Sequence, residues 1–343
     1  GNEKLQNYFS YANTTGHGII GKHNLSKHNL TFRETSVLLN SRLKLDGSMN
    51  LMRQVVKNKP TVGGFYMNPL VGLYRFPRGE DIAYYKENFE VYDEGRNLNI
   101  QNWHTSYEDF EQNPYWITNR ILSKENRMHV IVSLSANLKI NDWLSLQARG
   151  NVDYINDKVR QQFYASTAPA LAGANGRYIE MDYQETQYYG DAILMMKKQW
   201  DAFSLNAALG ASINDKTVNS TRYDSKTASL KYANVFNLAN IIMNGSAGLD
   251  QKIDARRQLQ SLFATAQLGY NEFVYLDLSA RNDWSSTLAY TSHEKSGFFY
   301  PSVGFSLIFN KLMTLPRWVS LAKIRGAYSI CLLYTSPSPR DTR

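Results

Sequence analysis

Long stretches of strict alternation limit what this chain can fold into. Met128, Val130, Val132, Leu134, Ala136 and Leu138 interleave with His129, Ser133, Ser135, Asn137 and Lys139. Leu144, Leu146, Ala148 and Val152 interleave with Ser145, Gln147, Arg149, Asn151 and Asp153. The same pattern returns from Phe203 to Ile213, from Ser261 to Leu268, from Leu276 to Arg281 and from Ser302 to Asn310. Successive side chains of a strand point to opposite faces, so each segment has one apolar and one polar side. The segments run to about ten or more residues, against the ~5–6 usual for a globular strand.

Hairpins must keep the apolar set on one face, which fixes loop parity. Leu138 and Leu144 match across a three-residue loop at Asn141 to Trp143. Leu268 and Val274 match across a three-residue loop at Tyr270 to Glu272. Met196 to Phe203 requires a loop of two or four residues around Trp200 and Asp201. The pattern predicts about eleven strands, near 5–12, 28–39, 42–53, 128–140, 143–156, 183–199, 202–214, 258–270, 273–285, 301–310 and 319–330. Connections between them alternate long and short, the long ones near 13–27, 54–127, 157–182, 215–257 and 286–300. Short turns at one end and long loops at the other are the plan of an antiparallel up-and-down transmembrane β-barrel. A soluble β-sandwich has no reason to gather its long loops at one end. Trp143, Trp200, Phe273 and Trp318 fall at short turns, and Tyr154, Trp284 and Tyr300 near the opposite strand ends, as two interfacial belts would.

Composition narrows the function classes. Of the 343 residues, 38 are Lys or Arg and 30 Asp or Glu, a net charge of +8 without the concentrated basic stripe of a nucleic-acid binder. The one cysteine, Cys331, excludes a disulfide framework and a cysteine-based zinc site. No apolar run approaches the ~20 residues of a membrane helix. Metal binding by His17, His23 and His28 is not expected, because their spacing matches no compact site. Asn13-Thr-Thr and Asn24-Leu-Ser match glycosylation acceptors, as loops rich in Asn and Thr often do. No phosphate loop, nucleophile triad or carboxylate pair is present, so no covalent chemistry and no cofactor are expected. An outer-membrane barrel enzyme and a passive porin remain as alternatives.

Several motifs together carry a resemblance. "AQLGYNEFVYLDLSARNDWSSTL" (266–288), "FFYPSVGFSLIF" (298–309) and "LAKIRGAYS" (321–329) follow "YFSYANTTGHGII" (8–20), "NPLVGLYRFPRG" (68–79), "NFEVYD" (88–93) and "QNPYW" (112–116). In this order they resemble the SusC/RagA-type TonB-dependent outer-membrane transporters of Bacteroidetes, over essentially residues 1–330. The resemblance implies a 22-stranded barrel around a plug, of which residues 1–330 would supply about half. It implies import of oligosaccharides or peptides through a Gram-negative outer membrane, with a SusD-like surface lipoprotein as lid and the TonB-ExbB-ExbD complex as energy source. The sequence is then expected to be an internal piece of such a barrel, to which the family's signal peptide, TonB box, plug and final strands would be added. The tail "CLLYTSPSPRDTR" (331–343) resembles adapter read-through and is expected to be foreign to the fold.

Two sets of candidate residues follow. Tyr66, Tyr74, Phe76, Trp103, Tyr115 and Trp116, in the longest loop, are candidates for stacking on cargo or seating the lid. Arg149, Asp153, Asp277, Arg281 and Asp283 are expected to line the lumen, most simply as solvated or paired charges.

Overall fold

The computed structural model describes all residues except 1, 3, 62–65, 106–110, 227–229, 244–247, 291–296, 314, 315, 317 and 331–343. The proposed foreign tail therefore lies outside the described residues. The chain begins with three strands, β1 (Leu5–His17), β2 (Asn24–Leu38) and β3 (Leu43–Lys57). A long insertion follows, holding α1 (Pro69–Arg75), α2 (Ile82–Glu87), the hairpin β4 (Glu90–Asp93) and β5 (Leu98–Gln101), and α3 (Pro114–Arg120). Eight strands complete the sheet: β6 (Ile121–Lys139), β7 (Leu144–Phe163), β8 (Arg177–Trp200), β9 (Phe203–Asp224), β10 (Gly248–Tyr270), β11 (Val274–Ser285), β12 (Phe298–Ile308) and β13 (Lys323–Ser329). Apart from the small hairpin, every strand joins one antiparallel meander of 11 strands in chain order. Among the described residues, β1 and β13 each pair on one side only.

The registers show why the alternation is kept. Leu38, Leu43, Leu138, Leu146, Leu194, Leu209, Ala264, Ala280 and Pro301 are successive cross-strand partners, an unbroken apolar row from β2 to β12. On the opposite face, Gln6, Thr35, Asp46, Ser135, Arg149, Asp191, Ser212, Ser261 and Asp283 form an unbroken polar row from β1 to β11. Leu134, Leu209 and Leu278 on the apolar face are exposed. The buried apolar residues, Trp116, Ile117, Phe163, Ile179 and Leu230 among them, lie instead at the long-loop end. An apolar face exposed across eleven strands, with no second sheet upon it among the described residues, is the outward face of an outer-membrane-type barrel. Glu34 is an exception on that face, beside β1, and accepts from Ser36 Oγ at 3.2 Å.

The short turns behave as parity requires. Ile140 and Leu144 close a three-residue loop over Asn141–Trp143, where Asn141 Oδ1 accepts from the amides of Trp143 and Leu144. Trp200 pairs with Phe203 around the two-residue turn of Asp201 and Ala202. The third loop keeps its length but sits one residue later than the pattern predicts, at 271–273, with Tyr270 paired to Val274. Asn271 and Glu272 both take positive φ, 48° and 59°, and an asparagine adopts that left-handed conformation more readily than a tyrosine at the same place. Around these turns, Phe203 and Tyr270 rings lie 4.9 Å apart, and Lys198 sits over Trp143 and Trp200 at 5.3 and 5.2 Å. A long cationic stem among interfacial aromatics can carry its ammonium toward water.

At the long-loop end the strands outrun the prediction. β7 reaches Phe163, β8 starts at Arg177, β9 reaches Asp224 and β10 starts at Gly248. The connection between β1 and β2 shrinks to residues 18–23. Water meets both faces there, so hydrophobic alternation fades while the hydrogen-bonded ladder continues. The β12–β13 connection is longer than expected, at 309–322, and Asn310 ties it to Ser320 and Ala322.

Candidate functional site

The insertion between β3 and β6 folds into a lobe with its own core. An Asn-Pro pair starts both α1 and α3: Asn68 Oδ1 accepts from Leu70 N at 3.0 Å, and Asn113 Oδ1 from Tyr115 N at 2.8 Å, each before a proline that needs no partner for its nitrogen. Asn113 is fully buried and also donates to the carbonyls of Tyr85 and Asn102 at 2.9 and 2.8 Å. Gly72 allows α1 to approach α3, since a Cβ there would meet the Gln112 carbonyl.

The lobe is stitched to neighbouring loops. Trp116 Nε1 donates to Thr167 Oγ1 at 3.1 Å, Ala168 N to Gln112 Oε1 at 2.8 Å, and Gln101 N to Ser166 Oγ at 2.9 Å. Ala165 N donates to Asn234 Oδ1 at 2.7 Å, which brings in the β9–β10 connection. Beneath it, Asp224 accepts from Arg177 Nε and Nη2, both at 2.8 Å, from Arg222 Nη2 at 2.7 Å and from Lys226 N at 2.8 Å. Lys22 in the β1–β2 connection reaches Asn119 of α3.

The six aromatic candidates divide by depth. Trp116 is 0% exposed, and Trp103 is buried among Phe76, Tyr85 and His104, with ring centroids 4.7–5.3 Å away. Phe76 is half-buried in the same cluster. Tyr66 and Tyr115 are half-buried, and their carbonyls accept from Gln112 and Asn119 side chains, both at 2.6 Å. Tyr74 is 86% exposed on α1. The cluster thus brings Phe76 and Trp103 together and leaves Tyr74 open to solvent.

The five charged candidates share the polar face. Arg149 holds Asp191 with Nε at 3.0 Å and Nη2 at 2.6 Å, and Tyr189 Oη donates to the same carboxylate at 2.6 Å. Asp153 lies 2.7 Å from His129 Nε2, and Asp277 accepts from Gln267 at 2.7 Å. Arg281 bridges Asp283 and Ser261 at 2.8 and 2.9 Å and lies over the Phe263 ring. Asp191 and Asp224 anchor two of these networks and escaped the sequence reading. The signal for Asp191 was a carboxylate on the polar phase of 183–199, which it shares with Glu185. Of the three histidines, His17 and His28 lie on β1 and β2, 2.5 Å from Asn24 Oδ1 and 2.7 Å from Tyr11 Oη. Among the described residues no group of three or more His, Cys, Asp or Glu could hold a metal ion.

In the lobe, Arg120 donates to both oxygens of Glu90, at 2.7 and 2.6 Å, and this pairing holds the Glu90 carboxyl below its ordinary range. A depressed folded-state pKa stabilises above the unfolded value and is lost as pH falls through the folded one. The β4–β5 hairpin should therefore be cleaved faster by an acid protease below pH ~4 than by a neutral protease at pH ~7, each scaled to its rate on an unfolded peptide. Glu90→Gln should flatten that pH dependence, and an unchanged profile would discount the pair.

An open antiparallel meander with an apolar outward face, a charged inner face and a roof of packed loops has the architecture of part of an outer-membrane-type β-barrel. The RagAB peptide transporter has that fold: it matches 96% of this chain at TM-score 0.68 and 18% identity, over 35% of its own chain. The RagAB peptide importer in the 'open-open' state matches at 0.65 and 17%, over the same shares. FpvA of P. aeruginosa, solved with heterologous pyoverdines, matches 89% of this chain and 36% of its own at 0.53 and 11%. At these identities the likeness is one of fold, and this chain spans about a third of those chains' length. No family model and no curated protein matches the sequence.

Proposed function

We propose that residues 1–330 form part of a larger, plugged barrel that imports oligosaccharide or peptide across a Gram-negative outer membrane, energised through TonB-ExbB-ExbD. The observation that carries this reading is the pair of opposed rows, one apolar and one polar, crossing nine strands beneath a packed loop lobe. Barrels of this fold include a peptide importer, which favours peptide as the first cargo class to test. The polar face, with Arg149, Asp153, Asp277, Arg281 and Asp283, would line the passage. Tyr74 would meet a SusD-like lid lipoprotein, because it is the most exposed of the lobe's aromatic candidates. Residues 331–343 would be dispensable.

The test uses the full-length barrel carrying this segment. Uptake of a labelled peptide mixture and of an oligosaccharide mixture is measured with and without TonB. TonB-dependent uptake of either supports the reading; equal uptake without TonB points to a passive pore. The face assignment has its own check. Leu209→Arg should destabilise the inserted barrel by about 2–4 kcal/mol, while Thr265→Arg on the polar face should stay within ~0.5 kcal/mol. Equal effects in a membrane-insertion assay would exclude the barrel.

A further inference from the structure

The apolar face of β3, β6 and β7 carries five cations and no carboxylate: Arg53, Lys57, Lys124, Lys158 and Arg160. All five lie at the long-loop end, beyond Leu51, Val130 and Val152 of the apolar band. Lys57 faces Lys124 directly across the ladder, and Lys124 faces Arg160. Like charges directly opposite on one sheet face repel. Among the described residues relief comes from the β8 side, where Glu180 lies 3.2 Å from Arg160 and Asp182 3.5 Å from Lys158. Arg53, Lys57 and Lys124 have no carboxylate within ion-pair distance among the described residues. The opposite face at the same height is different: Arg127 there is paired with Asp157 at 2.6 and 2.7 Å.

We infer that this patch is a docking site for a phosphorylated glycolipid of the membrane leaflet at the long-loop end. Three observations select that occupant. The cations continue the lipid-facing side of the strands, so a bound molecule has its acyl chains beside Met49, Leu51, Met128 and Val132. The patch is tall and wide: Arg53 to Lys57 spans ~13 Å along the strand, and Lys57 to Arg160 spans two strand spacings, ~10 Å. One phosphodiester headgroup cannot meet all of it, and a headgroup with phosphates at separate positions can. Asn126 and Asn156 stand among the cations on the same face, with Tyr154 just below them at the level of Val130, and supply donors and acceptors for sugar hydroxyls.

The inference rests on the apolar face meeting lipid. The full-length barrel is reconstituted in phosphatidylcholine vesicles containing bisphosphorylated lipid A, phosphate-stripped lipid A or phosphatidylglycerol. It is then extracted in mild detergent, and the lipid retained per barrel is counted by native mass spectrometry. The wild type should retain bisphosphorylated lipid A and neither of the others. The triple substitution K57Q/K124Q/R160Q should lower retention at least tenfold. K44Q/K139Q/K197Q, at the short-turn end of the polar face, should not. Equal retention by both triple variants, or equal retention of all three lipids by the wild type, overturns the site and leaves the barrel standing. Failure of the wild type to insert overturns both.

Discussion

Replacing Asp224 by alanine should open the loop lobe while leaving the sheet beneath it intact. Asp224 is 2% exposed and accepts from two guanidinium groups and one backbone amide. Arg177 is itself mostly buried and also donates to the Leu171 carbonyl at 2.9 Å. Removing one partner of a buried ion pair leaves an uncompensated charge, at a cost of about 3–5 kcal/mol. The next residue, Ser225, accepts from Tyr178 N at 3.0 Å, so the seam between β8 and the β9–β10 connection should loosen with it. Hydrogen exchange should accelerate over 164–176 and 230–243 and stay slow over 192–209, within the apolar band. Asp224→Asn retains two acceptor lone pairs and should show a smaller effect. Unchanged exchange over 164–176 would remove Asp224 as the anchor.

Trp116→Ala should have an effect of similar size through a different cause. Its indole is fully buried between α3 and the β7–β8 connection, and truncating a buried tryptophan costs about 3–5 kcal/mol. Trp116→Phe keeps most of the packing and removes the bond to Thr167, a loss of about 0.5–1.5 kcal/mol. Tyr74→Ala should stay within ~0.5 kcal/mol of wild type. Limited proteolysis of the lobe should rank the three variants in that order. If the exposed Tyr74 seats the lid, its alanine variant weakens lid capture without raising proteolysis, whereas Trp116→Ala alters both together.

Where one face meets lipid and the other water, the strands were legible residue by residue. Leu146, Leu194 and Leu209 fall in one cross-strand row because each was on the apolar phase of its own segment. Loop parity followed from the same constraint, and only the turn at 271–273 moved, where backbone conformation rather than hydrophobicity decides the position. Above the band the signal vanished. Residues 215–224 of β9 pair fully with β8, yet Lys216, Ser220 and Arg222 carry no period that a strand search could use. The lobe was illegible for a further reason. A single sequence lists its aromatics without saying which ring packs beneath which, so Trp116 and Tyr74 looked alike although one is fully buried and the other almost fully exposed. Asp224 gave no warning either, since its partner Arg177 is 47 residues away.

The length of β7, β8, β9 and β10 beyond the apolar band has a consequence for how such a protein can change. β8 alone has 24 residues, where a tilted strand needs ~9–11 to cross the hydrocarbon. The surplus forms a collar anchored by backbone pairing, with little partition energy at stake on either side. Pleat parity makes two residues the natural unit of insertion there. Adding or deleting two residues in each of two adjacent collar strands would lengthen or shorten the collar there by ~7 Å along the tilted strands and keep every side chain on its own face. The height of the roof above the apolar band can thus change independently of the strands that form the band.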